Sequence, residues 1–384
     1  MKKTLVALAA LASVSAFAQS SVTISGLIDS GYKTVDTTGT KGDTKGMASN
    51  GTATTVLNIA GTEDLGNGLK ANFKMQLTPD FLGANGVANT SVMQASGTAT
   101  TDAQTLVGNA QEVFVGLQGN FGQIKMGRVN TAALDAWGVG SVTGTALGSG
   151  YSSNGNIYTR YSSASPVSGF QSAPTRFNNA VRWESNVING FSGSVLYVPK
   201  VNTTGGTVAT TTTTTAGVST NRQGVTDIGL KYSNGPMNLM YASQKISEGS
   251  LGVVNAVANS GAAALGANGN NTLNIFSGNY TLGATTIYGA TWTEKGDGTV
   301  VTTNATGTMA GIKYTMGQID LLATTGKNND NTTAKVNKRV SGYGADYNLS
   351  KNTALYGRFE SRNSDSTTAD STTKSLMAGI RLKY

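Results

Sequence analysis

Apolar and polar residues alternate along most of this chain. Within Leu69 to Thr78, Leu69, Ala71, Phe73, Met75 and Leu77 fall on one side, and Lys70, Asn72, Lys74, Gln76 and Thr78 on the other. At the far end, Leu376, Ala378, Ile380, Leu382 and Tyr384 oppose Ser375, Met377, Gly379, Arg381 and Lys383. A period of two marks a β-strand with two unlike faces. Sixteen such segments can be traced. They come in pairs joined by seven short turns: Gly66-Asn67-Gly68, Gly119-Asn120, Val187 to Gly190, Ser233 to Pro236, Leu282-Gly283-Ala284, Met316-Gly317-Gln318 and Leu349 to Asn352. Eight longer connections separate the pairs, including Thr34 to Thr54, Thr78 to Asn109 and Pro199 to Arg222.

Short turns on one rim and long loops on the other are the asymmetry of a membrane barrel. The fold expected is therefore all-β: a 16-stranded antiparallel transmembrane β-barrel. Both chain ends fall on the short-turn side, where the first and last strands can pair. A soluble sandwich would also alternate, but the aromatic residues argue against it. Trp183, Tyr232, Tyr280, Tyr314, Tyr347 and Tyr384 lie near one end of their strands, and Tyr32, Tyr197, Tyr241 and Trp292 near the other. Two rings of side chains with an apolar body and a polar tip suit two membrane interfaces. The longest break in the pattern, Asn130 to Thr175, is 46 residues rich in Gly, Ser, Ala and Thr. A connection of that size is usually functional or disordered. It reads as a long third loop folded into the lumen.

Composition narrows this picture. Met1 to Ala18 has Lys2 and Lys3, an apolar run from Leu5 to Val14, and Ala16-Phe17-Ala18, which is the form of a signal peptide at 1–18. The barrel would then occupy 19–384. Removing two lysines lowers the net charge from +8 to +6. The basic residues are dispersed, so no nucleic-acid partner is expected. The chain has no Cys and no His, which removes His-dependent hydrolysis and most zinc sites. No cofactor, metal or enzyme activity is expected. Hydrophobic content of 38 % suits an apolar skin around a wet interior. Thr210 to Thr215 and Ala256 to Asn271 are low-complexity loops.

Parity assigns the inward charges. Arg176, Asn178, Ala180 and Arg182 share a face opposite Phe177, Val181 and Trp183. Lys33, Lys74, Arg358 and Arg362 point inward by the same test, as do the acids Asp29, Glu112, Asp227 and Glu360. In the long loop Asp135 is the one acid and Arg160 the one base. Strict alternation leaves Arg128 facing out with Ile124 and Met126, packed in a subunit interface. A bulge at Gly127 would turn it inward.

Phe114 to Asn130, FVGLQGNFGQIKMGRVN, resembles the strand-turn-strand motif of Gram-negative outer-membrane porins of the β-proteobacterial type. Gly61 to Ala71, GTEDLGNGLKA, resembles that family's first turn. The start VTISGLID (Val22 to Asp29) and the aromatic C-terminus agree, so the resemblance covers essentially the whole mature chain. The C-terminal residue is Tyr384 where the family usually has Phe.

The resemblance implies a trimeric porin in the cell outer membrane of a Gram-negative bacterium, set in lipid and lipopolysaccharide. It implies a constriction loop at about 130–175 and an inward Arg128; if Arg128 and Arg176 face each other across the narrowest point, each adds positive potential there. The expected constriction is Arg128, Arg176, Arg182, Lys74, Arg358 and Asp135, with Asp29, Lys33 and Glu112 also facing the lumen. Family members commonly carry basic residues on the strand before the TEDLG turn, whereas this chain has Val56 and Ala60 there. One arm of the basic cluster is absent, and a loop with one acid makes a weak transverse field. The function expected is passive passage of small hydrophilic solutes and ions, with a modest preference for small anions. A homotrimer is expected because the outward residues Val113, Val115, Leu117, Ile124 and Met126 lack the aromatic ring seen elsewhere. The alternatives are a substrate-selective outer-membrane channel and a secreted surface adhesin.

Overall fold

A computed structural model describes residues 21–38, 44–79, 109–142, 159–161, 170–172, 176–202, 209–210, 213–214, 221–222, 224–247, 270–296, 304–331, 335, 337–365 and 370–384. The expected signal peptide, most of the two low-complexity loops, and much of 130–175 lie outside those residues. The strands are β1 (Ser21–Thr37), β2 in two pieces (Thr44–Ser49 and Val56–Gly66), β3 (Leu69–Thr78), β4 (Asn109–Gly119), β5 (Gly122–Asn130), β6 (Arg176–Glu184), β7 (Phe191–Val198) and β8 (Val225–Asn234). They continue as β9 (Met237–Ile246), β10 (Asn271–Leu282), β11 (Thr285–Gly296), β12 (Asn304–Met316), β13 (Ile319–Asp330), β14 (Asn337–Asn348), β15 (Thr353–Asp365) and β16 (Ser371–Lys383). Among the described residues there is one helix, α1 (Ala132–Gly140), which follows β5. Three small hairpins of two- and three-residue strands occupy the connections after α1 and after β7.

Each strand pairs antiparallel with the next, and β1 pairs with β16 from Leu27↔Lys383 to Thr37↔Thr373. The sheet is thus a closed 16-stranded barrel. Closure leaves no edge, so the backbone polar groups of the ladder are satisfied within the protein where lipid would offer no partner. All seven expected short turns join their strands as read. Burial follows the pleat. Ile228, Leu230, Tyr241, Phe276, Ile287, Ile312, Leu321, Tyr343, Leu355 and Leu376 are exposed on the outside. The alternate positions are buried and mostly polar or small. No helix among the described residues is long and apolar enough to cross a membrane. The strands do so instead.

Two expectations change. Strand β2 begins at Thr44, well before Thr55, and pairs with β1 on both sides of a break. Ile28 and Asp29 of β1 face six residues of β2, 50–55, which leave the sheet. Trp292 also does not belong to the outer aromatic ring. It is 2 % exposed and stacks edge-on against Trp137 of α1, with ring centroids 5.7 Å apart. The parity of β11 turns Trp292 inward with Ala290 and Glu294, while Thr291 and Thr293 face out.

Candidate functional site

The segment after β5 begins with a capped helix. Thr131 is the N-cap, its hydroxyl accepting from Leu134 N at 3.1 Å. This removes one of the helix's unpaired N–H groups. Asp227 of β8 takes two more: Ala132 N donates to Oδ1 at 2.5 Å and Ala133 N to Oδ2 at 3.4 Å. A carboxylate at the positive end of a helix is favourable, the more so where water is excluded. Gln244 holds the same carboxylate at 3.2 Å. At the other end Asn279 Nδ2 donates to Val139 O at 2.8 Å. Between these anchors Ala132, Ala133, Ala136 and Trp137 pack on Met240, Ala242, Leu273, Ile275, Ala290 and Trp292, the inward side chains of β9 to β11. Small residues make room: a Cβ on Gly229 would lie 2.7 Å from Ala132 Cβ. The described start of the long loop therefore rests on the inner wall.

The inward charges are largely paired. Lys74 of β3 lies 3.0 Å from Glu112 of β4. Arg182 of β6 lies 2.5 Å from Asp135 of α1 and 3.0 Å from Glu184, and it donates to Asn130 O at 2.7 Å. Lys125 of β5 reaches the other side of Glu184 at 2.9 Å. Lysine, glutamate, arginine and aspartate thus form one chain that ties α1 to the wall. Asp135, the one acid of the long loop, bonds Arg182 of the wall directly. Arg358 pairs with Asp346, Arg362 with Glu360 at 2.9 Å, and Arg381 approaches Asp346 at 3.8 Å. Lys33 of β1 lies within electrostatic reach of Glu360 and Arg362.

Between α1 and the short-turn rim is a cavity of about 690 Å³, lined among others by Asp135, Arg182, Glu184, Lys231, Asn238 and Asn279. Lys231 shares the inward face of β8 with Asp227 and Gly229. It makes no ion pair or hydrogen bond among the described residues.

Arg128 and Arg176 depart from expectation. The β4–β5 ladder is regular through Val113↔Arg128. The β5–β6 ladder is not: Gly127 pairs with Ala180 and Val129 with Phe177, so Arg128 faces both Asn178 and Asn179. The extra residue is in β6, not at Gly127 of β5, and Asn179 takes a φ of 54° to accommodate it. Asn tolerates this left-handed conformation better than most residues. Two consequences follow. Arg128 stays in register with Val113, on the side away from Glu112, and its guanidinium donates to Gln111 O and Asn178 Oδ1, both at 3.0 Å. Alternation no longer carries from Arg182 to Arg176, because Phe177 joins Val129, Ala180, Leu196 and Val198 in an inner apolar cluster. Arg176 heads β6 opposite Asn130, within electrostatic reach of Arg128, Glu112 and Asp135. The two arginines flank one another on neighbouring strands and do not oppose one another across the lumen.

Asp29 is more than a lumen-facing acid. It is fully buried, and its carboxylate accepts from Gly51 N (3.0 Å), Thr52 N (2.7 Å), Thr52 Oγ1 (2.6 Å), Ala53 N (3.0 Å) and Tyr356 Oη (2.6 Å). Parity alone could have found Lys125, Glu184, Lys231 and Asp346, since each alternates with outward apolar neighbours. The Lys125–Glu184 pair spans 59 residues of sequence and left no local signal, whereas Asp346 pairs with Arg358 on the next strand.

The sequence profile of the Gram-negative porin family matches residues 4–367. The outer membrane porin protein 32 of Delftia acidovorans is 30 % identical over 266 residues, 65 % of this chain and 62 % of that protein. The major outer membrane protein P.IB of Neisseria gonorrhoeae is 32 % identical over 53 % of this chain and 49 % of its own. The chain thus spans about half to three-fifths of these relatives. Among solved structures, the anion-selective porin from Comamonas acidovorans superposes with a TM-score of 0.68 at 19 % identity, covering 95 % of this chain and 100 % of that one. OmpT of Vibrio cholerae gives 0.61 at 12 % identity, covering 95 % and 98 %. A barrel closed β1 to β16, apolar outside and charged inside, whose sequence fits one family profile nearly end to end, is an outer-membrane protein, and the chain belongs to the Gram-negative porin family.

Proposed function

We propose that this protein is a trimeric outer-membrane diffusion channel for small hydrophilic solutes and ions, with a modest preference for anions, and that it catalyses no reaction. The observation that carries the reading is the closed barrel whose inner wall holds ion-paired charges and the start of an internal loop. A sixteen-stranded barrel encloses an aqueous path, and passive passage needs no cofactor. The whole of 130–175 acts as the constriction loop, with α1 as its anchored part. Arg182, Asp135, Lys74 and Arg358 border the path, and Arg128 and Arg176 stand at its flank. Residues 1–18 are the export signal. The structurally similar Comamonas porin, named as anion-selective, supports the anion preference. So do inward lysines such as Lys231 and Lys313 that lack an acidic partner among the described residues. The plain apolar outward face of β4 and β5 supports a trimer contact there. Planar-bilayer recordings test this: stepwise conductance, with a reversal potential in asymmetric potassium chloride that shows chloride the more permeant. No conductance, or preference for potassium, overturns it. Light scattering in mild detergent tests the trimer, which monomers alone would contradict.

A further inference from the structure

The six residues 50–55 interrupt β2, and they fold onto the inner face of the barrel. Asp29 points inward, because Ile24, Ile28 and Tyr32 on the alternate positions are exposed outside. Its carboxylate gathers three successive backbone N–H groups, from Gly51, Thr52 and Ala53, and the Thr52 hydroxyl. Tyr356 of β15 adds its hydroxyl from the same inner face. The Asp29 N–H donates to Thr55 Oγ1 at 3.1 Å, and the turn closes on itself through Thr55 N donating to Asn50 Oδ1 at 2.6 Å. Gly51 is tight against the wall: a Cβ there would lie 2.3 Å from Tyr356 Oη. Thr52 Oγ1 also lies 3.3 Å from Arg381 Nη1. Gly51, Thr52 and Thr55 are buried, while Ala53 and Thr54 are partly exposed and form the outer surface of the turn.

The position of this turn matters. It rests on β1, β15 and β16, whereas α1 packs mainly on β9 and β10. In a ring of sixteen strands β1 and β9 are half a circumference apart. The two elements also stand at similar heights. Asp29 lies opposite Arg381 of β16, above the short-turn rim, and Asp227, which holds the helix, is seven residues from Asn234 at the short-turn end of β8.

We propose that residues 50–55 form a second, uncharged lip of the eyelet, facing α1 across the lumen, and that Asp29 is the positioning residue that holds it there. The lip narrows the path without adding charge, so it sets solute size where the wall charges set sign. The proposal rests on the channel reading above. The chain has no native cysteine, so Thr54→Cys gives one thiol. Channels of that variant, treated with a sulfonated or a trimethylammonium methanethiosulfonate, should lose roughly a fifth or more of their single-channel conductance. The anionic adduct should lower the chloride-to-potassium permeability ratio and the cationic adduct raise it, while treated wild type stays unchanged. In an Asp29→Asn background the loss should fall at least about twofold, since an amide accepts fewer of the five bonds and releases the lip. If that double variant does not fold, Tyr356→Phe, which removes one bond, should give a smaller reduction in the same direction. Full modification by mass with conductance and permeability unchanged overturns the lip. An adduct effect that both backgrounds leave intact overturns the role of Asp29. Failure of untreated wild type to conduct would instead sink the channel reading.

Discussion

Two of the described elements lie on the inner wall, and a buried aspartate holds each by its backbone N–H groups. The similarity ends there. Helix α1 adds to the Asp227 bonds a dry contact: Trp137 is 1 % exposed, Leu134 2 %, and the alanines meet an inner wall that is apolar just where the helix lies. Burying each large side chain contributes about 1.5–3 kcal/mol. The turn 50–55 contributes no large apolar side chain, and its attachment is nearly all polar. An element held by packing survives the loss of one anchor. An element held mainly by one carboxylate keeps only a few polar bonds, those of the Asp29 backbone and Arg381, when that carboxylate is lost.

The sharpest break of that comparison is to remove each aspartate. Asp29→Ala leaves five donors to find new acceptors, at a cost of about 1–3 kcal/mol for each that water does not satisfy. Amide exchange at 51–53 should then approach that of an open loop while the barrel ladder keeps its protection. Exchange at 51–53 that is unaltered would mean the turn is held by something else. Asp227→Ala removes the acceptors of two helix N–H groups, yet exchange in the second half of α1 should stay slow. Trp137→Ala is the matching probe of packing: about 3–5 kcal/mol of local stability, with α1 and Trp292 loosened together. A Trp292 fluorescence spectrum that does not shift in Trp137→Ala would contradict the stacked pair.

The contrast also explains what the sequence could tell. Strand faces were legible because lipid and lumen select opposite residue types at alternate positions, so every strand restates the pattern. The short turns were legible because Gly and Asn mark them. The break in β2 was not. Asn50-Gly51-Thr52 reads as loop, and it is held by Asp29, whose carboxylate also bonds Tyr356, 327 residues further along the chain from Asp29. The parity of Arg176 failed for a related reason: one extra residue near Asn179 reverses the faces, and Asn occurs too widely to signal it. Asp135 was found as a loop acid, but its bond to Arg182 depends on where the helix docks. Trp292 was misread because an aromatic near a strand end serves an interface or a buried contact equally well.

Arg182 joins the two halves of the comparison, since it is both a wall charge and an anchor of α1. Depth alone, six residues down β6 from Arg176, would give it the lesser effect. Its contacts argue otherwise. Arg182→Ser would release Asp135, and would leave Glu184 with Lys125 alone. Both the loss of a positive charge and the uncovering of an acid shift the field toward cations. The chloride-to-potassium permeability ratio should fall further than for Arg176→Ser. If Arg176→Ser gives the larger drop, the Asp135 pair does not persist in the open channel.

The smallest effect expected is that of Lys231, and it separates charge from architecture most cleanly. Lys231 lines the cavity below α1 beside Asn238 and Asn279 but anchors nothing among the described residues. Lys231→Ser should leave thermal stability and the exchange of α1 unchanged. A unit charge acting on an ion about 8 Å away in water is worth about 0.5 kcal/mol, close to a twofold change in local anion concentration. The path is sampled over a greater length than that, so the permeability ratio should fall by less than twofold. The Debye length shortens from about 10 Å at 0.1 M to about 3 Å at 1 M, so the difference from wild type should nearly vanish in molar salt. Arg182→Ser should keep part of its effect there, because losing an anchor moves the helix as well as the charge. If Lys231→Ser alters α1 exchange, or its selectivity shift persists at 1 M, the lysine is a structural contact and the cavity does not lie on the ion path.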